Sequence, residues 1–241
     1  MSGKRYNGEK AIISLTSWKG RIDTTGLTIY SLLKNCPGFH IVLVLSECEF
    51  PHKEADLPRD LRVMCSMCKY EILWLKNNPR SFKKIFWTQI KYPSVPIISA
   101  DDGCVYTCNY ARILFNKWKR NRKYVIGIKY FHGMEPGAFG GGYGVIYPPN
   151  CFKNVAVNCV NNYMNLLIKN PNDDRFIGHL CKLMNIPVMP LKEHDSLTQF
   201  IDISVSGLSN DKQYIACDNW VFNEVISITL IKEKIDRLTC K

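Results

Sequence analysis

No uninterrupted apolar stretch in the 241 residues is long enough to cross a membrane. The opening Met1-Ser2-Gly3-Lys4-Arg5 is not followed by an apolar signal core, so a secretory leader is not expected. The Gly-Lys-Ser/Thr ending of a phosphate-binding loop is missing, and the first strand lacks GxGxxG, so neither a P-loop nor a dinucleotide fingerprint is present. Cys65-Ser66-Met67-Cys68 has no second pair and no histidines at zinc-site spacing, so ordinary loop cysteines are expected. There is no internal repeat and no low-complexity linker, and one domain spanning residues 1–241 is the economical reading.

What is present is a core-forming composition, 46% hydrophobic, so disorder is not the default state for the chain. The formal charge is +11 and the pI is near 9.1. That balance favours anionic partners: nucleoside diphosphates, nucleic acid or an anionic membrane surface. The cysteines number 11, an odd count spread along the chain, which reads as a reduced, cytoplasmic protein.

The chain is organised around Ile97-Ile98-Ser99-Ala100-Asp101-Asp102-Gly103. A short buried-type strand ends abruptly in two carboxylates and a glycine. In open α/β sheets ligands bind beyond the carboxyl ends of the strands. Adjacent acids repel, and a cation relieves that repulsion. Carboxylate oxygens suit Mg²⁺ or Mn²⁺, and these ions hold phosphate oxygens. A polar Asp-Asp-Gly turn is the plainer alternative.

The surrounding pattern is βαβ. Residues 11–17 predict a strand, a helix begins at Thr24 or Thr25 and ends at residues 35–38, and residues 41–45 predict a second strand. Parallel pairing follows, with the loop after the first strand on the ligand edge. Thr16 and Ser17 there supply hydroxyls and Arg21 a cation for a nucleotide. Residues 70–75 predict a third strand. Phe82, Ile85, Phe86 and Ile90 give a helical spacing that leaves Lys83, Lys84 and Lys91 on other faces. Lys83 or Lys84 could reach a phosphate, or belong to a solvated lysine face. Residues 110–119 predict a helix with a basic end, Lys117, Lys119, Arg120, Arg122 and Lys123, and residues 124–128 a further strand.

Glycines crowd residues 137–144 before Tyr147-Pro148-Pro149, suggesting a wall that a flat substrate lies against. Asp173 and Asp174 stand where a helix begins. Such a position caps the helix, and it also holds a carboxylate rigidly enough for a general base. Residues 186–189 lead out as a strand towards His194, and a last helix runs from residues 209–213 through Trp220 and Val221.

Taken together, Ile13-Ser14-Leu15-Thr16-Ser17 with Arg21, Ser81-Phe82-Lys83-Lys84, Ile98 to Gly103, Gly141 to Pro149 and Asn172 to Gly178 resemble small bacterial glycosyltransferases of the GT-A fold. Asn210-Asp211 matches a late element without an assigned role. The resemblance runs over roughly residues 11–213 by motif order. It implies an α/β fold with a Rossmann-like, mostly parallel central sheet flanked by helices. It also implies transfer of a sugar from a nucleotide diphosphate sugar to a glycan or lipid-linked acceptor, inverting and assisted by Mn²⁺ or Mg²⁺. In that reading Asp102 binds the metal, Asp101 helps hold the ribose or the metal shell, and His194 is a late metal ligand. Asp174 deprotonates the acceptor, with Asp173 as the alternative base. The motif's third acid is Gly103 here, which leaves room for a non-catalytic binding relative. A nucleotidyltransferase would want a longer basic loop than Trp18-Lys19-Gly20-Arg21. Nucleic acid is not an expected partner, because the basic residues are dispersed and no motif accompanies them. Peripheral contact with an anionic inner membrane face would suit the charge.

Overall fold

The structure, a computed structural model, describes residues 10–131, 137–169, 172–191, 198–200 and 212–239. Its frame is a seven-stranded sheet: β1 (Ile12–Thr16), β2 (His40–Ser46), β3 (Glu71–Leu75), β4 (Ile97–Ser99), β6 (Val125–Gly127), β9 (Val145–Tyr147) and β10 (Val188–Pro190). The order is β10-β6-β9-β4-β1-β2-β3. β1 pairs in parallel with β2 and β4, β2 with β3, and β10 with β6. β9 is the exception, antiparallel to both of its neighbours. The mostly parallel α/β sheet expected from the sequence is present.

Side-chain alternation divides the core into two layers. Ile12, Val42, Val44 and Ile97 face one layer, while Ile13, Leu15, Ile41, Leu43, Leu45 and Ile98 face the other. Because both faces are covered, the strands read as continuous apolar runs. The second layer is closed by α1 (Ile22–Asn35), α2 (Arg59–Ser66) and α4 (Tyr110–Arg120). The first is closed by α3 (Lys83–Lys91), α5 (Val155–Leu167), α6 (Asp173–Leu183) and α7 (Lys212–Thr239). Two short antiparallel pairs stand apart, β5 (Cys104–Tyr106) with β11 (Thr198–Phe200) and β7 (Tyr130–Phe131) with β8 (Ala138–Phe139).

Three details differ from the sequence reading. α1 starts at Ile22, ahead of the threonines, because Arg21 takes the N-cap position. α5 had no sequence expectation. It carries four asparagines and a non-helical Tyr163, and its buried Val155, Ala156, Cys159 and Val160 pack into the core that α7 also enters. The last helix, α7, runs on well past Val221 to Thr239. Cys65 lies within α2 and Cys68 just beyond it, and both thiols are free. Among the described residues no helix is long and apolar enough to cross a membrane.

Candidate active site

Ser17 follows β1 and Asp101-Asp102 follow β4, so both segments leave the sheet at adjacent carboxyl ends. β1 is also where the strand order reverses, with β2 and β3 on one side and β4 on the other. Such a switch point opens a crevice in a parallel sheet.

Asp102 is buried. Its Oδ2 accepts from the Ser17 hydroxyl at 2.7 Å, and its Oδ1 lies 3.3 Å from Nη1 of Arg21. Thr25 donates to Ser17 Oγ, and Thr28 donates to the carbonyls of Asp102 and Cys104. The start of α1 therefore fixes the acid-bearing turn. Burial raises the Asp102 pKa against the pull of Ser17 and Arg21, with the neighbouring Asp101 adding to the rise. Arg21 keeps a buried Nε with no hydrogen-bond partner among the described residues.

Asp101 faces the other way. Its Oδ1 accepts from Lys84 Nζ at 2.7 Å, and that same ammonium lies 2.9 Å from Oδ2 of Asp173. Lys84 is a buried side chain on α3. Desolvation works against its charge, but the charges of Asp101, Asp173 and Asp174 outweigh it and hold the ammonium protonated above its usual range. The backbone here is pinned from beneath. Tyr106 Oη accepts from the Asp101 N–H at 2.8 Å and donates to the Gly142 carbonyl at 3.1 Å. Ser99 Oγ donates to the Gly141 carbonyl, and Tyr110 donates to the Ser99 carbonyl.

Asp173 and Asp174 form the first turn of α6, whose N-cap Asn172 accepts from the Arg175 N–H at 3.2 Å. The Gly141 N–H donates to both oxygens of Asp174, at 3.1 and 3.0 Å. Burial, then repulsion from Asp173, pushes the Asp174 pKa well up, and Lys84 and the Gly141 amide offset this only in part. Two glycines make close approaches to these side chains. A Cβ on Gly141 would lie 2.8 Å from Asp174 Oδ1 and 3.0 Å from Lys84 Nζ, and one on Gly142 would lie 2.8 Å from Asp101 Oδ2.

The two acidic segments thus meet through one ammonium, with the glycine run against both. Thr16 is not in this group: its hydroxyl donates to the Val44 carbonyl at 2.7 Å, across the β1–β2 pair. Lys83 is also apart. It is buried, lies 3.8 Å from Glu49 and donates to Asn78. Burial lowers its pKa to about 8, with Glu49 opposing. Neither Lys83 nor Lys84 belongs to a solvated lysine face, whereas Lys91 is exposed and paired with Glu71. His194 and Asn210-Asp211 lie outside the described residues. Tyr106, Ser99, Thr25 and Thr28 were not expected at the site. Ser99 stood in the acid-bearing stretch without a role, and Tyr106, Thr25 and Thr28 are common hydroxyl residues that no sequence signal separates from core residues.

In type, the donors fit a hard divalent ion. Oδ2 of Asp101 is not engaged by Lys84, whereas both oxygens of Asp102 already accept hydrogen bonds, Oδ2 from Ser17 and Oδ1 from Arg21. Among the described residues no group of three or more His, Cys, Asp or Glu side chains could hold an ion. An ion here would therefore depend on substrate phosphates and water for the rest of its shell, as Mg²⁺ commonly does.

This architecture is a mixed α/β fold built on a mostly parallel seven-stranded sheet. Among solved structures it is similar to the glycosyltransferase GlyE of Streptococcus pneumoniae TIGR4, with a TM-score of 0.51 and 10% sequence identity. The match covers 94% of this chain but 64% of that one, so this chain spans less than two thirds of its neighbour's length. At this identity the likeness is one of fold. No protein-family model and no curated protein matches the sequence.

Proposed function

We propose that the chain is a glycosyltransferase that moves a sugar from a nucleotide diphosphate sugar to the hydroxyl of a glycan or lipid-linked acceptor, with inversion. The observation that supports this reading is Lys84, which joins the Asp101 turn to the Asp173-Asp174 turn at the carboxyl end of the sheet. Asp174 takes the acceptor proton, and Asp173 is the alternative. The acceptor oxygen then attacks the anomeric carbon, and the bond to the diphosphate breaks with its electron pair leaving on the phosphate oxygen. A buried carboxylate with a raised pKa is a stronger base than a free one. Arg21 stands beside Asp102, and its partly exposed guanidinium would meet the departing diphosphate. Asp101 and Asp102 would hold Mn²⁺ or Mg²⁺, which when bound neutralises charge on the leaving group. Ser17 and Thr25 keep the Asp102 carboxylate in place for this.

A second reading is a nucleotide- or sugar-binding relative without transfer activity. It draws on Gly103 in place of a third acid and on Asp102 already engaged by Ser17 and Arg21. Titration with UDP and GDP, with Mn²⁺ and with EDTA, separates the two when combined with a donor-sugar hydrolysis assay. Metal-dependent binding with turnover supports the transferase. EDTA-indifferent binding without turnover supports the binding module, and no binding of either nucleotide sinks both.

A further inference from the structure

We propose that the edge of the sheet opposite the acid site docks on an anionic phospholipid bilayer. This rests on a separate surface and does not require the sugar-transfer reading. The parallel strands bring their amino-terminal ends together here. Lys10 precedes β1, Phe39 precedes β2, Lys69 precedes β3, and Arg122-Lys123 precede β6. Helices α1 and α4 end at the same edge with Lys34 and with Lys117, Lys119 and Arg120. All eight of these cations are exposed. Glu71, the acid at the start of β3, is already paired with Lys91 and His40. Eight of the chain's 32 lysines and arginines are therefore gathered at this end of the sheet, where they complement a negative surface.

The apolar component selects a membrane over nucleic acid. A cavity of about 530 Å³ opens between the end of α1 and the end of α2, lined by Leu33, Phe39, Met64 and Met67, with Lys34 and Lys69 among its walls. Tyr30 at 60% exposure, Met67 at 59% and Val63 at 48% extend the apolar surface beside it. Lipid presents that combination, an acyl chain beneath an anionic headgroup. Single-stranded nucleic acid would instead need open aromatic platforms. One exposed ring, Tyr30, stands near the cations, but the others beside them are occupied: Phe115 stacks with Trp118 and meets Phe39 edge-on, while Lys119 covers Phe115, Arg122 covers Trp118 and Lys10 covers Phe39. A bilayer on this edge leaves the acid site facing water, which favours the glycan over the lipid-linked acceptor of the proposed function.

The test is co-sedimentation of the full chain with phosphatidylcholine vesicles, with and without phosphatidylglycerol, at low and high salt. Binding is expected only with phosphatidylglycerol and should weaken as salt rises. Lys34→Glu and Lys69→Glu should each lower affinity about fivefold or more, given roughly 1 kcal/mol per lysine near such a surface. Met67→Asp should also weaken binding, and all three variants should keep the wild-type melting temperature because the side chains are exposed. Equal binding to neutral vesicles, no binding to anionic ones, unchanged binding by the lysine variants, or RNA that outcompetes the vesicles would each overturn the proposal.

Discussion

Lys84 lies 2.9 Å from Asp173 and 2.7 Å from Asp101, a single ammonium shared between a strand end and a helix start. Removing it would leave neighbouring carboxylates without a cation in a buried setting. Lys84→Met is expected to destabilise the fold by on the order of 3–5 kcal/mol, measured by urea unfolding. Adding Asp173→Asn should recover part of that loss. An unchanged unfolding midpoint in the single variant would show that the ammonium does not compensate the acids.

Asp174→Asn separates base from scaffold. Transfer should fall by about 10²–10⁴-fold, while nucleotide binding persists. The base works ionised, so the wild-type rate should climb with pH, with its rise displaced above the ordinary carboxylate range. The sign for stability is opposite. The folded state holds the Asp174 proton more tightly than the unfolded chain does, so this stabilisation is complete below the unfolded pKa and is lost as pH rises through the folded one. Melting temperatures across pH should therefore fall less steeply in the variant. A pH–rate profile identical in wild type and variant would remove Asp174 from the chemistry.

Gly141→Ala tests the close approach. Its Cβ would enter the space of Asp174 Oδ1 and Lys84 Nζ. A displacement of about 1 Å at a reacting group can cost roughly 10²-fold, so kcat should drop with little change in donor affinity. Equal kcat in the alanine variant would show that the carboxylate is not held there during turnover.

Arg21→Ala should weaken UDP or GDP binding by about tenfold or more, the size of a charged hydrogen bond. Calorimetric titration reads this directly. Asp102 also loses its cation, so Arg21→Lys serves as the control and should recover part of the affinity. Wild-type affinity in Arg21→Ala would place the diphosphate elsewhere.

Much of the frame was legible because apolar runs and breakers coincide with its elements. Residues 41–45 read as a buried strand and lie within β2, and Asn172-Asp173-Asp174 read as a helix start and is one. The position of the lysines was not legible. Lys83 and Lys84 look like a solvent face because long charged side chains are almost never buried unless paired. Their partners, Glu49, Asp101 and Asp173, come from distant segments that only the fold assembles. α5 was missed for a related reason: its asparagines and valines are weak helix formers, and packing in the layer shared with α3 and α7 decides its state.

The reversed direction of β9 has a mechanical outcome. A strand running against its neighbours delivers its beginning where they deliver their tips. The residues leading into β9 therefore arrive beside Asp101 without a long crossover, and their spacing to Val145 sets how far they project. A single residue inserted between Gly142 and Val145 would slide this lead-in past both acidic turns while leaving the sheet paired.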